Sequence, residues 1–339
     1  MDHLTAVVLA GGQGTRLRPL TESLPKPILP VLNRPFLEYT LLNLAEAGVE
    51  RVFLALGYKP DPIIEHFGIG SKVDLHIEYA LETEPLGTSG AVRALISELD
   101  QTFLVINGDV TSEIDYRALL ETHIENREYG TLAVHEVEDP SQFGLVLTDG
   151  EGYVTQFIEK PKGPRFRSKL INSGVYALEP EVLRFVPEGF SMFETDLFPK
   201  VLSAGVQLNT HKWQGYFNDM GTVENYLVLQ KDLMSGLAPH AKGASPYKGV
   251  EVKIDSSAIL EGDIILGDGV RIESNAHLVG PITLGSGCHI SQNVVIKSSI
   301  LWENVKIMEH SKIENSVIGS NVMIKESSVI IDQVIGSNA

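Results

Sequence analysis

Cysteine is almost missing from this chain: Cys288 is the single one among 339 residues. An intrachain disulfide is therefore impossible, and a lone thiol fits a reducing compartment. Long apolar runs are missing too, none approaching the ~20 residues that span a bilayer as a helix. The opening Met1-Asp2-His3 has no basic region, and the short apolar stretch that follows lacks a cleavage signature. It reads as a buried strand and not as a signal peptide, so the expected location is the cytoplasm and no membrane contact is expected. Basic residues are scarce as well, with 27 Lys and Arg against 44 Asp and Glu and a formal charge of −17. That balance excludes non-specific nucleic-acid binding, which needs basic patches to neutralise phosphates. A small phosphorylated substrate stays open, on condition that Lys and Arg form a local island or a divalent cation bridges carboxylates to phosphate.

The length exceeds what one core usually organises, so a division is expected. From residue 4 to about 235, apolar runs (Leu4–Ala10, Val52–Leu56, Val73–Tyr79, Phe103–Asn107) alternate with helical patterns such as Pro35–Ala47 and Thr88–Leu99. Strand–helix–strand repetition implies right-handed crossovers and a Rossmann-like α/β domain with a mostly parallel sheet, whose ligand site lies beyond the strands' carboxyl ends. Residues 236–253 are rich in Gly, Pro and Ser and read as a linker. Beyond it Ile254, Leu260, Leu266, Ile272, Leu278, Leu284, Ile290 and Ile296 recur every six residues, with Ala258, Ile264, Val270, Ala276, Ile282, Cys288, Val294 and Ile300 on the same period. This hexapeptide repeat predicts a parallel β-helix over 254–339, after the α/β domain over 1–235. Past Ile300 the register slips and resumes at Ile307 and Ile313, then at Ile318, Ile324 and Ile330, which predicts bulged corners.

The richest segment follows the first strand: Leu9-Ala10-Gly11-Gly12-Gln13-Gly14-Thr15-Arg16-Leu17-Arg18-Pro19-Leu20-Thr21, then Lys26-Pro27. Glycines at a strand end let backbone N–H groups approach a nucleotide, and Arg16 and Lys26 supply charge for phosphates. The segment has neither the G-K-[ST] ending of a P-loop nor the third glycine of the dinucleotide fingerprint. It does resemble, throughout, the signature G-G-x-G-T-R-L-x-P-L-T with a following K-P that marks the sugar-1-phosphate nucleotidyltransferases. The resemblance continues in family order through Glu84-Pro85-Leu86-Gly87-Thr88-Ser89-Gly90, Asn107-Gly108-Asp109, Phe143-Gly144, Phe157-Ile158-Glu159-Lys160-Pro161, Asn172-Ser173-Gly174 and Asp219 before Gly221-Thr222. It covers residues 4 to about 230, and a hexapeptide tail, a left-handed β-helix, is common in the same family.

The resemblance implies a nucleoside triphosphate and a sugar 1-phosphate as substrates, and Mg2+ as cofactor. It implies Asp109 and Asp219 as metal ligands, Arg16 on the leaving phosphates, Lys26 on the reacting phosphates, and Lys160 on the phosphate of the incoming sugar. Glu159, Gly144 and Asn172 would surround the sugar ring, while Leu9, Gly11, Gly12, Gly14, Thr15, Glu82, Gly87 and Thr88 would hold the nucleotide; Arg18 reads as surface. The Glu82–Gly90 segment is nearest to mannose-1-phosphate guanylyltransferases. A carboxylate there suits the adjacent N1–H and N2–H₂ donors of guanine, which favours GTP with a manno-configured sugar. Thymidylyl, uridylyl or adenylyl transfer to glucose 1-phosphate is the alternative, and a nucleotide-sugar-binding regulatory subunit without catalysis is another. His277, His289 and His310 raise an acyltransferase activity for the repeat domain, but an assembly and stability module capped by a homo-oligomer partner is the preferred reading.

Overall fold

A computed structural model describes residues 4–126, 129–163, 167–238 and 249–337. The chain packs into two compact units, residues 1–12 with 40–217 and residues 13–39 with 218–339. The predicted linker at 236–253 lies largely outside the described residues.

In the first unit, β1 (Thr5–Leu9), β2 (Arg51–Leu56) and β4 (Phe103–Asn107) are short aliphatic runs, almost wholly buried, and β3 (His76–Leu81) is more exposed. They pair in parallel in the order β4-β1-β2-β3, as runs apolar on both faces must. The sheet continues through β5 (Gly130–Glu136), β6 (Gly144–Thr148), β7 (Val154–Glu159), β8 (Leu170–Leu178) and β9 (Asn209–Trp213). β8 runs antiparallel to β4, β5 and β6, so the second half of the sheet is mixed. A core including Val7, Phe103, Val105, Tyr176, Phe193 and Phe198 fills this unit.

Helix α1 (Phe36–Glu46) stops at Gly48, whose φ of 88° is the left-handed value that ends a helix. Two expectations shift. The strand anticipated from Val73 begins at His76, because Ser71–Val73 forms a 3-10 turn and Asp74 takes φ 56°. The helix anticipated over Thr88–Leu99 is regular only over α2 (Gly87–Arg93) and continues as turns. Two further helices are α3 (Tyr116–Asn126) and α4 (Val223–Met234).

In the second unit the repeats form a left-handed parallel β-helix of three five-stranded sheets. Ile254, Ile272, Ile290, Ile307 and Ile324 stack on one side, and Leu260, Leu278, Ile296, Ile313 and Ile330 on the next. Leu266, Leu284, Leu301, Ile318 and Ile335 stack on the third. The register slip is a shortened side: from the third coil on, the step from the second sheet to the third loses one residue, and the coil drops from 18 to 17. A deletion, not a bulged corner, therefore explains the slip. Left-handed corners fall on Asn275, Asn293, Asn304 and Asn321, the non-glycine residue type that tolerates positive φ best, and Asn275 Nδ2 donates to Asn293 Oδ1 at 3.3 Å.

Replacing buried Ile296 by alanine leaves a cavity between coils and lowers the unfolding free energy by about 2–5 kcal/mol. Val295→Ala, one residue along and half-buried, costs about 1 kcal/mol or less in the same urea titration.

Candidate active site

In the first unit, the ends of β1 and β4 fix the first group of predicted residues. The Leu9 carbonyl accepts a hydrogen bond from Gly108 N at 2.9 Å, and a Cβ on Gly108 would lie 2.9 Å from that oxygen. Only glycine lets the chain pass here, and the pass delivers Asp109, half-exposed, just beyond the strand. Gly11 is likewise tight, since its Cβ would lie 3.0 Å from Gly57 N and 3.2 Å from Glu82 Oε1, whereas Gly12 faces open space. Glu82 is half-buried against Gly11 and its Oε2 accepts from Leu86 N at 3.1 Å, while Glu84 is exposed. Gly87 and Thr88 brace a neighbouring segment: a Cβ on Gly87 would fall 2.4 Å from Ser191 O, and Thr88 Oγ1 accepts from Phe193 N at 3.1 Å.

The predicted sugar-side residues converge in the same unit. Gly144 opens β6 directly opposite Glu159 at the end of β7, and a Cβ on Gly144 would lie 3.1 Å from Glu159 Oε2 and 3.7 Å from Asn172 Cβ. Lys160 takes φ 41° and its largely exposed ammonium lies 3.6 Å from Glu159 Oε1. Asn172 stands at an irregularity in β8, its Nδ2 donating to Tyr176 Oη at 2.7 Å and to Glu194 Oε1 at 3.0 Å. Gly174, at φ 73°, crosses so close to Asn107 that a Cβ would lie 2.5 Å from its Nδ2.

Glu194 was not anticipated. It belongs to the π-helical turn Phe193–Leu197, and burial, followed by the negative charges of Glu159 and Asp109, holds its carboxyl above the usual range. In sequence it is one acid in Met192-Phe193-Glu194-Thr195-Asp196, where an acid near a helix start is unremarkable. Its contact with Asn172 comes from across the sheet and left no local signal.

In the second unit, Thr15–Leu17 forms a 3-10 turn entered through Gly14 at φ 60°, with Thr21 Oγ1 donating to Gly14 O at 2.9 Å. Leu17 and Leu20 are buried beneath the turn, whereas Thr15, Arg16 and Arg18 are exposed. Lys26 is only 7% exposed, and its Nζ lies 3.8 Å from Asp219 Oδ1. A lysine so buried needs a charged partner, and Asp219 supplies one. Gly221 is the pivot of the cluster: a Cβ there would lie 2.7 Å from Arg16 Nη2 and 3.1 Å from Asp219 Oδ1. Asn225, in the first turn of α4, donates its side-chain amide to Asp219 O at 2.6 Å and its N–H to the capping Thr222 Oγ1 at 3.2 Å. Arg16, Lys26 and Asp219 are thus brought together; Asp109 belongs to the other compact unit. Asp109 and Asp219 offer hard oxygen donors, the kind a small divalent cation takes.

The histidines of the repeats lie on the outside of the coils. His277 Nε2 lies 3.3 Å from Glu261 Oε1, His289 Nε2 lies 2.7 Å from Glu273 Oε1, and His310 occupies a left-handed corner. Among the described residues no helix is long and apolar enough to cross a membrane.

The family model described as nucleotidyl transferase matches residues 5–236, and the chain belongs to that family; the model described as the EIF2B subunit epsilon LbH domain matches 244–339. The chain is 40% identical to a mannose-1-phosphate guanylyltransferase of Mycobacterium tuberculosis, over 79% of this chain and 75% of that one. It is 33% identical to a mannose-1-phosphate guanyltransferase of Aspergillus fumigatus, over 75% of this chain and 72% of that one. Among solved structures, HddC from Yersinia pseudotuberculosis complexed with GMP-PN matches at 31% identity and a TM-score of 0.59, covering 68% of this chain and 99% of that one.

Gly221→Ala places a methyl group against the Arg16 guanidinium, a mobile group that can move aside, so the fold persists and the arginine is displaced. The expected outcome is a thermal midpoint near that of the wild type with kcat/KM for the nucleotide reduced about ten- to a hundredfold, the scale of a lost charge-assisted contact.

Proposed function

We propose that the chain transfers a nucleotidyl group from GTP to mannose 1-phosphate or a related manno-configured sugar 1-phosphate, releasing pyrophosphate, with Mg2+ held by Asp109 and Asp219. The observation that carries this reading is the gathering of Arg16 and Lys26, both on the loop that follows the first strand, about Asp219, with Gly221 leaving room for Arg16. The names borne by the Mycobacterium and Aspergillus relatives support the substrate pair.

The chemistry is an attack by a sugar phosphate oxygen on the α-phosphorus, forming one P–O bond as the bond to pyrophosphate breaks. The nucleophile is already an anion, so no side chain has to remove a proton. What the protein supplies is positioning and charge. When bound, Mg2+ would be held by the carboxylates of Asp109 and Asp219 and would supply positive charge to the α-phosphate. Arg16 holds the departing phosphates, Lys26 balances charge on the reacting phosphates, and Lys160 swings from Glu159 to the sugar phosphate. Glu159 and Asn172 accept and donate hydrogen bonds to the ring hydroxyls, with Gly144 leaving room because any side chain there would meet Glu159. Glu194 keeps Asn172 aimed.

For the base, Glu82 is the better candidate than Glu84, because its carboxylate is held beside Gly11 while Glu84 faces solvent. The exposed Ile259 and Leu260 of the first coil suit a second copy of the chain, in a homo-oligomer working in the cytoplasm. Nothing in the reaction requires nucleic acid.

Pyrophosphate release across GTP, ATP, UTP and dTTP, each with mannose and glucose 1-phosphates, checks this reading. GTP with mannose 1-phosphate is expected to be the best pair, EDTA abolishes turnover, and Asp109→Asn or Asp219→Asn lowers it by orders of magnitude. A preference for UTP or dTTP removes the base assignment and leaves the transfer reaction standing.

A further inference from the structure

The hairpin that follows Lys26 is held in a strained shape. Pro30 pairs with Pro35 and Val31 with Arg34, and the two residues between them, Leu32 and Asn33, take φ 49° and 63°. Two successive positive φ values make a mirror-image tight turn that normally calls for Asn-Gly. A leucine there is costly and persists only where the surroundings impose it.

The surroundings are the β-helix and the helix in front of it. Gln230, on α4 and 3% exposed, accepts at Oε1 from Leu32 N at 3.3 Å and from Thr283 Oγ1, in the third sheet of the solenoid, at 2.9 Å. Asn33 Nδ2 donates to Leu284 O at 2.9 Å. Tyr226, also on α4 and fully buried, donates its hydroxyl to Pro30 O and accepts from Trp302 Nε1 at 3.1 Å. The same solenoid meets the loop upstream of Lys26, where Ser23 Oγ donates to Ser337 Oγ at 3.1 Å and Gly336 lies against Pro19. Thr283 and Trp302 are 3% and 1% exposed, so both relays run through interior that water does not loosen.

We infer that the β-helix is a positioning element of the nucleotide site: Thr283 and Trp302, through Gln230 and Tyr226, lock the Pro30–Pro35 hairpin and thereby the Lys26 side chain that meets the triphosphate. Lys26–Ile28 is a single 3-10 turn, with Leu29 N bonded to Lys26 O at 3.1 Å and Phe36 N to Leu29 O at 3.0 Å. A shift of the hairpin therefore passes directly to Lys26. Thr283 and Trp302 are positioning residues, and no contact of theirs with substrate is needed. This rests on the assignment of Lys26 to the triphosphate in the proposed function.

The test uses the full chain with Thr283→Val, Thr283→Ser, Trp302→Phe and the double variant of Thr283→Val with Trp302→Phe. KM for GTP and for mannose 1-phosphate are measured separately, together with the thermal midpoint. In the double variant KM for GTP rises about tenfold while KM for mannose 1-phosphate stays within about twofold. Thr283→Ser keeps the hydroxyl and behaves like the wild type. A damaged fold alone lowers the active fraction, and so kcat, without separating the two KM values. Should the double variant fail to fold, Thr283→Val, nearly isosteric, carries the same test with a smaller rise. An unmoved KM for GTP in folded variants overturns the inference. If Lys26→Met also leaves that KM unmoved, the Lys26 assignment falls instead.

Discussion

The buried ammonium of Lys26 is the constraint on which the site depends. Taking a lysine out of water is costly without a nearby anion, and this one is 7% exposed with Asp219 at 3.8 Å. Asp219 is fixed in turn: its carbonyl receives the Asn225 amide and the Gly221 N–H, and the side chain at position 221 has to be absent for Arg16 to lie alongside. In a chain of formal charge −17, this small cluster gathers two cations, Arg16 and Lys26, about a single carboxylate.

Holding that cluster still requires more than the loop can provide. The loop's own anchors are Leu17, Leu20 and Leu29, all fully buried, and the remainder of its support comes from α4 and the solenoid. The division of the chain into compact units follows this logic: residues 13–39 fold with 218–339, so the loop that carries Arg16 and Lys26 shares a unit with the repeats. The glycines on the other unit do a different task. Gly108 lets β4 discharge Asp109 next to the end of β1, and Gly174 lets β8 pass over Asn107, so that strand ends and not flexible loops set the positions.

Much of this was legible in the sequence, for identifiable reasons. The six-residue repeat announced the solenoid because coil stacking demands one inward aliphatic residue per side, and Ile272, Leu278 and Leu284 are indeed interior. The parallel strands β1, β2 and β4 were legible as short apolar runs, and the family motifs named Arg16, Lys26 and Asp219 before any contact among them was known. What escaped was set by distant partners. Asp74 at positive φ delays β3, a choice made by the turn and not by the apolar pattern. The shortened side of the coil was legible as a slip, but not as a deletion, because only stacking tells which residue is missing. Glu194 acquires its meaning from Asn172 and Tyr176, far along the chain. The role of the solenoid was hardest to foresee: Thr283 and Trp302 read as ordinary repeat residues, and only packing puts Gln230 and Tyr226 between them and the hairpin.

Calorimetric titration of GTP into wild-type protein and Lys26→Met, with Mg2+ and without sugar phosphate, asks whether the Lys26 cluster is the triphosphate site. The variant, folded but with a thermal midpoint below the wild type because the Asp219 carboxylate loses the Lys26 ammonium, is expected to lose affinity about a hundredfold, the equivalent of a buried charge-assisted contact. Undiminished affinity in the folded variant would contradict it.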